Sequence, residues 1–355
     1  MPLKVLEPHS EAEKDHLANL CESDLESIEE LLRQGVRSSS SLPKELGQRL
    51  ILSGGKRIRP YLLCLTYHTF KARDPHRNRV SALDLHTLAA VAEWVHTATL
   101  FHDDVLDASP SRRDQPAAHI LHGNKVAILV GDFVYAEAFA LLMDRGHLDP
   151  SRELAATIKN VVEGELLQHQ VCMERSVSLT DYTRIAKAKT GALFGWCTGT
   201  GCWAAGSELT SLAKDFGCYL GEAFQMADDL FDTFSIDPKT ADLATLTEWI
   251  ESSAPLPVVL AAENDPRVQS LWADLALTKG TESKRTLVRE VLNVCRQESI
   301  VTQSLKWIQS LLTQAESARV KLGGNPTLKT ALDMIEARAL QGASFAGVTS
   351  PRSNA

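Results

Sequence analysis

Residues 81–107 read SALDLHTLAAVAEWVHTATLFHDDVLD, and this stretch decides the fold. From Ser81 to Leu106 it is long and mostly apolar, which predicts a core helix rather than a strand. It ends in Asp103, Asp104 and Asp107. At 3.6 residues per turn, Asp103 and Asp107 share a face one turn apart, with Asp104 about 100° round. A solvated acidic face does not normally end so apolar a helix. Carboxylates one turn apart repel, and a divalent cation removes that repulsion. Hard oxygen ligands suit Mg²⁺, which keeps several waters and bridges to phosphate oxygens.

The same spacing recurs at Asp228, Asp229 and Asp232, again behind an apolar helical stretch, with Gln225 three residues before Asp228. Two such helices suit opposite walls of a helical bundle. Outward from the clusters, helical patterning covers nearly the whole chain. Helices are expected at 10–32, 43–52, 60–70, 124–143, 152–172, 180–205 and 207–234, with loops at 72–79 and 107–116. Residues 236–257 read as irregular, punctuated by Pro238, Pro255 and Pro257. No linker divides the chain. The expectation is one all-α domain over 1–342 and a loose tail at 343–355.

Phosphate needs cations as well as metal. Gly54-Gly55-Lys56-Arg57-Ile58-Arg59 places three beside glycines that let backbone approach closely. Arg112 and Arg113 follow the first cluster, and their planar forks suit phosphate oxygens. Lys189 and Thr190 offer a cation and a hydroxyl in apolar surroundings. His96 stands two turns before Asp103 on the same face. These groups suggest two anion sites, one through metal and one through direct contact.

The net charge of −8 argues against nucleic acid as a partner. The seven cysteines are scattered and form no C-x-x-C pair, so they read as buried free thiols in a reducing compartment. No signal peptide opens the chain, and no run of about 20 apolar residues predicts a membrane span. A cytoplasmic protein is expected, drawn to membranes peripherally by an apolar product.

Taken in order, GGKRIRP (54–60), HTATLFHDDVLDASPSRRDQPAAH (96–119), VGDFVYAEAF (130–139), EGELLQ (163–168), AKTGALF (188–194) and GEAFQMADDLFD (221–232) resemble the trans-isoprenyl diphosphate synthases, especially the long-chain polyprenyl type. The resemblance implies a helical bundle around a central cavity, usually a homodimer. It implies repeated condensation of isopentenyl diphosphate onto an allylic diphosphate such as farnesyl or geranylgeranyl diphosphate, with three Mg²⁺ per active site, for a quinone side chain. Carried over by position, Lys56, Arg59, His96 and Arg113 would hold isopentenyl diphosphate. Arg112, Lys189, Thr190 and Gln225 would contact the allylic diphosphate. Asp103, Asp107 and Asp228, with Asp104 and Asp232 in support, would hold Mg²⁺ directly or through water, and Asp229 would complete the acidic catalytic set. Ala98 and Thr99 stand where short-chain members carry a Phe or Tyr floor, so the product should exceed C20.

The sequence departs from the family after Asp232. A Gly-Lys pair and a Lys-Pro-Thr-Leu-Pro segment are usual there, and Lys239 is the nearest substitute for the lysine. The C-terminal third matches poorly. Two other functions use this scaffold: a non-catalytic subunit of a heteromeric synthase, and a terpene cyclase. Intact acidic clusters argue against the first, and intact GGKRIRP with Arg112-Arg113 against the second.

Overall fold

A capping box at Ser81 starts the helix that carries the first acidic cluster. Ser81 Oγ accepts from the Asp84 N–H at 3.1 Å, and the Asp84 carboxylate accepts from the Ser81 N–H at 3.3 Å. Two donors that a helix start leaves open are thereby used. The computed structural model describes residues 13–74, 76–112, 115–174, 178–235, 250, 253–278 and 281–345. Arg113, Lys239 and most of the diverged segment after Asp232 lie outside the described residues.

The described chain is helical almost throughout. In order it forms α1 (Glu13–Gln34), α2 (Ser41–Leu52), α3 (Ile58–Lys71), α4 (Ala82–Leu106), α5 (Ala118–His122), α6 (Asn124–Asp144), α7 (Leu148–Glu174), α8 (Leu179–Ala186), a π-helical turn at Lys187–Gly191, α9 (Ala192–Ala204) and α10 (Thr210–Ser235). Then come α11 (Leu256–Asn264), α12 (Pro266–Leu277), α13 (Thr281–Cys295), α14 (Glu298–Lys321) and α15 (Pro326–Phe345). The expected loop at 107–116 contains a minimal antiparallel ribbon, Ser111 opposite Pro116 and Arg112 opposite Gln115. The helix expected over 180–205 is interrupted by the π turn. The last helix runs to Phe345, past the expected start of the tail, and residues 346–355 lie outside the described residues.

The chain groups into two compact units. The first comprises the described residues up to Thr157 with Leu193–Lys214 and Lys321–Leu328. In it α1, α3 and α4 pack on one another, and α6 lies along α4. Leu63, Leu85, Leu88, Phe101 and Trp196 are fully buried there. A Cβ on Gly201 would collide with the Leu63 carbonyl, so glycine lets α9 lie against α3. The second unit comprises Ile158–Ala192, Asp215–Val320 and Lys329 onward. In it α11, with Val258, Val259 and Leu260 buried, packs on α8, α12 and α13. All seven cysteines are free, and Cys218 is half-buried rather than buried.

Helix α6 is long and apolar enough to cross a membrane by length and composition alone, a test that a core helix also passes. Asp132 and Glu137 interrupt its apolar run. Both are paired inside the first unit, Asp132 with His102 at 3.3 Å and Glu137 with Arg37 at 2.7 Å.

Candidate active site

The first acidic cluster forms the end of α4. The Asp107 N–H donates to the Asp103 carbonyl at 2.8 Å, so the chain is still helical between them and both half-buried carboxylates share a face. Asp104 points the other way. It is 2% exposed, and its Oδ1 accepts from Arg112 Nε at 2.7 Å and Nη2 at 2.6 Å. The contact needs a sharp return of the chain. Ala108 supplies it at φ 49°, and the Ser109 N–H closes the turn on the Asp104 carbonyl at 3.0 Å. Burial raises the Asp104 carboxyl above its ordinary range, while the guanidinium and His119 pull it back.

The three cations of 54–60 separate. Lys56 is exposed after two glycines at positive φ (108° and 154°). Arg57 turns inward and pairs with Glu29 and Glu93. Arg59 is half-buried with its Cζ 5.4 Å from the Phe194 ring centroid. His96 and Thr99 are half-buried on α4, whereas Ala98 is completely buried.

The second cluster has the same division of labour. Asp228 and Asp232 are half-buried one turn apart on α10. Asp229 is tied into the protein: its carboxylate accepts from Tyr182 Oη at 2.6 Å, the Leu256 N–H at 3.0 Å and Gln225 Nε2 at 2.9 Å. Gln225 in turn accepts from the Thr190 hydroxyl at 2.7 Å. Desolvation raises the Asp229 carboxyl, and these donors oppose the shift. The π turn sets Thr190 and Lys189, as such bulges often do at functional sites. Lys189 Nζ donates to Gln168 Oε1 at 3.0 Å and pairs with Glu165. Gly191 makes this packing possible, since a Cβ there would stand 3.1 Å from the Cys218 carbonyl.

The donor chemistry of both clusters fits magnesium. Each offers two carboxylates at one-turn spacing. Among the described residues no three His, Cys, Asp or Glu side chains converge on one point. Mg²⁺ held by one or two carboxylates usually completes its shell with water and phosphate oxygens.

Sequence reasoning missed several residues at these sites. Glu165 and Gln168 lie in the EGELLQ stretch, to which the sequence alone gives no role. Tyr182 carries no motif. Neither does Arg338 of α15, whose Nε donates to Asp228 Oδ1 at 2.7 Å.

The family model for polyprenyl synthetase matches residues 41–294. The octaprenyl diphosphate synthase of Escherichia coli is 30% identical over 79% of this chain and 85% of its own length. The all-trans-nonaprenyl-diphosphate synthase (geranyl-diphosphate specific) of Rhodobacter capsulatus is 31% identical over 76% and 81%. Among solved structures, the polyprenyl synthase of Caulobacter crescentus, complexed with calcium and isoprenyl diphosphate, superposes with a TM-score of 0.77. It is 29% identical, and the match covers 94% of this chain and 99% of that one. The chain belongs to the polyprenyl synthetase family and has the all-α isoprenoid synthase fold. Members of this family condense isopentenyl diphosphate with allylic diphosphates.

Proposed function

We propose that this chain is a magnesium-dependent polyprenyl diphosphate synthase. It adds isopentenyl diphosphate units head to tail onto farnesyl or geranylgeranyl diphosphate and makes products longer than C20. The observation that carries the reading is the shared geometry of the two clusters. In each, the first and last aspartates share a face, and the middle one is held by protein donors.

In this reading Asp103 and Asp107, and likewise Asp228 and Asp232, would hold magnesium directly or through water, three ions in all. Bound metal supplies charge stabilisation for departing pyrophosphate. Arg112, Lys189, Thr190, Gln225 and Lys239 orient the allylic diphosphate, with Asp104 and Asp229 fixing Arg112 and Gln225. Lys56, Arg59, His96 and Arg113 hold isopentenyl diphosphate, so that its double bond meets the allylic cation. No protein nucleophile is required, and released pyrophosphate takes the proton.

A homodimer is supported by the outer face of α5 and α6. Ile120, Leu121, Ile128, Leu129 and Met143 are exposed there. We place the enzyme in the cytoplasm, touching membranes through its product.

The test is incubation of the purified protein with Mg²⁺, farnesyl diphosphate and labelled isopentenyl diphosphate, followed by sizing of the products. Labelled chains longer than C20 are expected. Absence of incorporation by the lone protein would overturn the reading in favour of a subunit or a cyclase.

A further inference from the structure

Arg338 reaches the second acidic cluster from a part of the sequence without motifs. Besides the 2.7 Å bond from Nε to Asp228 Oδ1, its Nη2 stands 3.6 Å from Asp232 Oδ1. Its Cζ lies 3.3 Å from the centroid of the Phe231 ring. One guanidinium therefore bridges the one-turn gap between the two carboxylates assigned to metal. The Arg338 side chain is 21% exposed, against 25% for Asp228 and 50% for Asp232.

The helix crossing is built for this contact. Gly342 lies one turn beyond Arg338 and presses on α10, where a Cβ would stand 2.9 Å from the Phe231 N and Cα. Phe345 packs edge-on against Phe231 with centroids 5.3 Å apart. Together they set the base of the arginine at a fixed height over Phe231.

Two half-buried carboxylates at this spacing repel, and here the relieving cation is part of the chain. Arginine does not lose its proton near neutral pH. The guanidinium must therefore leave before a divalent ion can bridge Asp228 and Asp232. We infer that Arg338 is an internal counter-ion that competes with the divalent metal for Asp228 and Asp232. It holds the two carboxylates in place without metal and raises the metal concentration that this cluster needs. A diphosphate offers the displaced guanidinium a new charged partner, so metal and diphosphate should enter together. The inference rests on the metal role given above to Asp228 and Asp232.

Mn²⁺ binding, followed by electron paramagnetic resonance, tests it in the full-length protein without diphosphate, where the displaced guanidinium gains no new partner. Arg338→Gln should lower the Mn²⁺ concentration for half-saturation about tenfold, the order expected for losing a charge-assisted competitor. Arg338→Lys, which keeps the charge, should stay near the unaltered protein. Metal-free Arg338→Gln should melt below the unaltered protein, and the two should converge when metal is bound. A purely structural contact would lower both melting temperatures equally. Equal half-saturation of Arg338→Gln and unaltered protein overturns the inference, as does Arg338→Lys behaving like Arg338→Gln. Asp228→Asn separates the two ideas: if it leaves Mn²⁺ binding unchanged, the metal reading of the cluster fails as well.

Discussion

Arg57 Nη1 donates to Glu93 Oε1 at 2.7 Å, and both side chains are only 4% exposed. The same guanidinium donates to Glu29 Oε1 at 2.5 Å and to the Ile51 carbonyl at 2.7 Å. Arg57 stands at φ 47°, a conformation that non-glycine residues rarely adopt without support. The network ties α1 and α4 to the turn between Lys56 and Arg59. Removing the cation leaves Glu93 buried and unpaired. Arg57→Met is therefore expected to cost about 3–5 kcal/mol, while the double variant Arg57→Met/Glu93→Met recovers most of that loss. Urea unfolding followed by circular dichroism measures both, and an unchanged midpoint for the single variant would contradict the argument.

This pair also shows where the sequence stopped being readable. GGKRIRP announced three cations, but nothing local says that the middle one faces inward. Its partners, Glu29 and Glu93, lie on other helices. The acidic clusters were legible for the opposite reason, since the helical period alone puts Asp103 with Asp107 and Asp228 with Asp232 on common faces. The same period turns Asp104 and Asp229 away. Only the fold shows that Arg112 meets the first, and that Tyr182, Gln225 and the Leu256 N–H meet the second. Arg338 was out of reach because it meets Asp228 through a distant helix crossing that depends on Gly342. The π turn at Lys187–Gly191 looks like plain helix in the sequence, because an inserted residue leaves the apolar pattern on both sides intact.

Glu222 predicts a pH dependence of stability. It lies on α10, 7% exposed, and burial pushes its carboxyl from an ordinary 4.5 up to about 7, with the Lys187 charge opposing the shift. Below pH 4.5 the group is protonated whether the chain is folded or not. As pH rises from 4.5 to 7 the unfolded chain ionises first, so stability falls across that window and levels off above it. The loss is of the order of 3 kcal/mol at 1.36 kcal/mol per pK unit. Glu222→Gln keeps the shape and removes the charge. It should be more stable than the unaltered protein at pH 8 and nearly equal to it at pH 4.5. Denaturant midpoints at the two pH values give the comparison, and a gap that does not widen with pH would remove Glu222 as its source.

Product length offers the most direct test of the site's orientation. Thr99 and Ala98 precede Asp103 by about one turn on α4, along the path proposed for the growing chain. Their environments differ. Thr99 is half-buried, with its hydroxyl donating to the His96 carbonyl at 2.7 Å, whereas Ala98 has no exposed surface. Thr99 keeps part of its surface exposed, so a large ring there meets less packing. A ring at Ala98 must displace packed neighbours, at a cost of about 1–3 kcal/mol. Thr99→Tyr is therefore expected to shorten the products while the protein keeps its stability and its first condensation step. Ala98→Phe should shorten them too, with a lower melting temperature. Chromatography of the dephosphorylated products separates chain lengths directly. A folded, active Thr99→Tyr protein with an unchanged product spectrum would mean that the chain does not grow past this turn of α4.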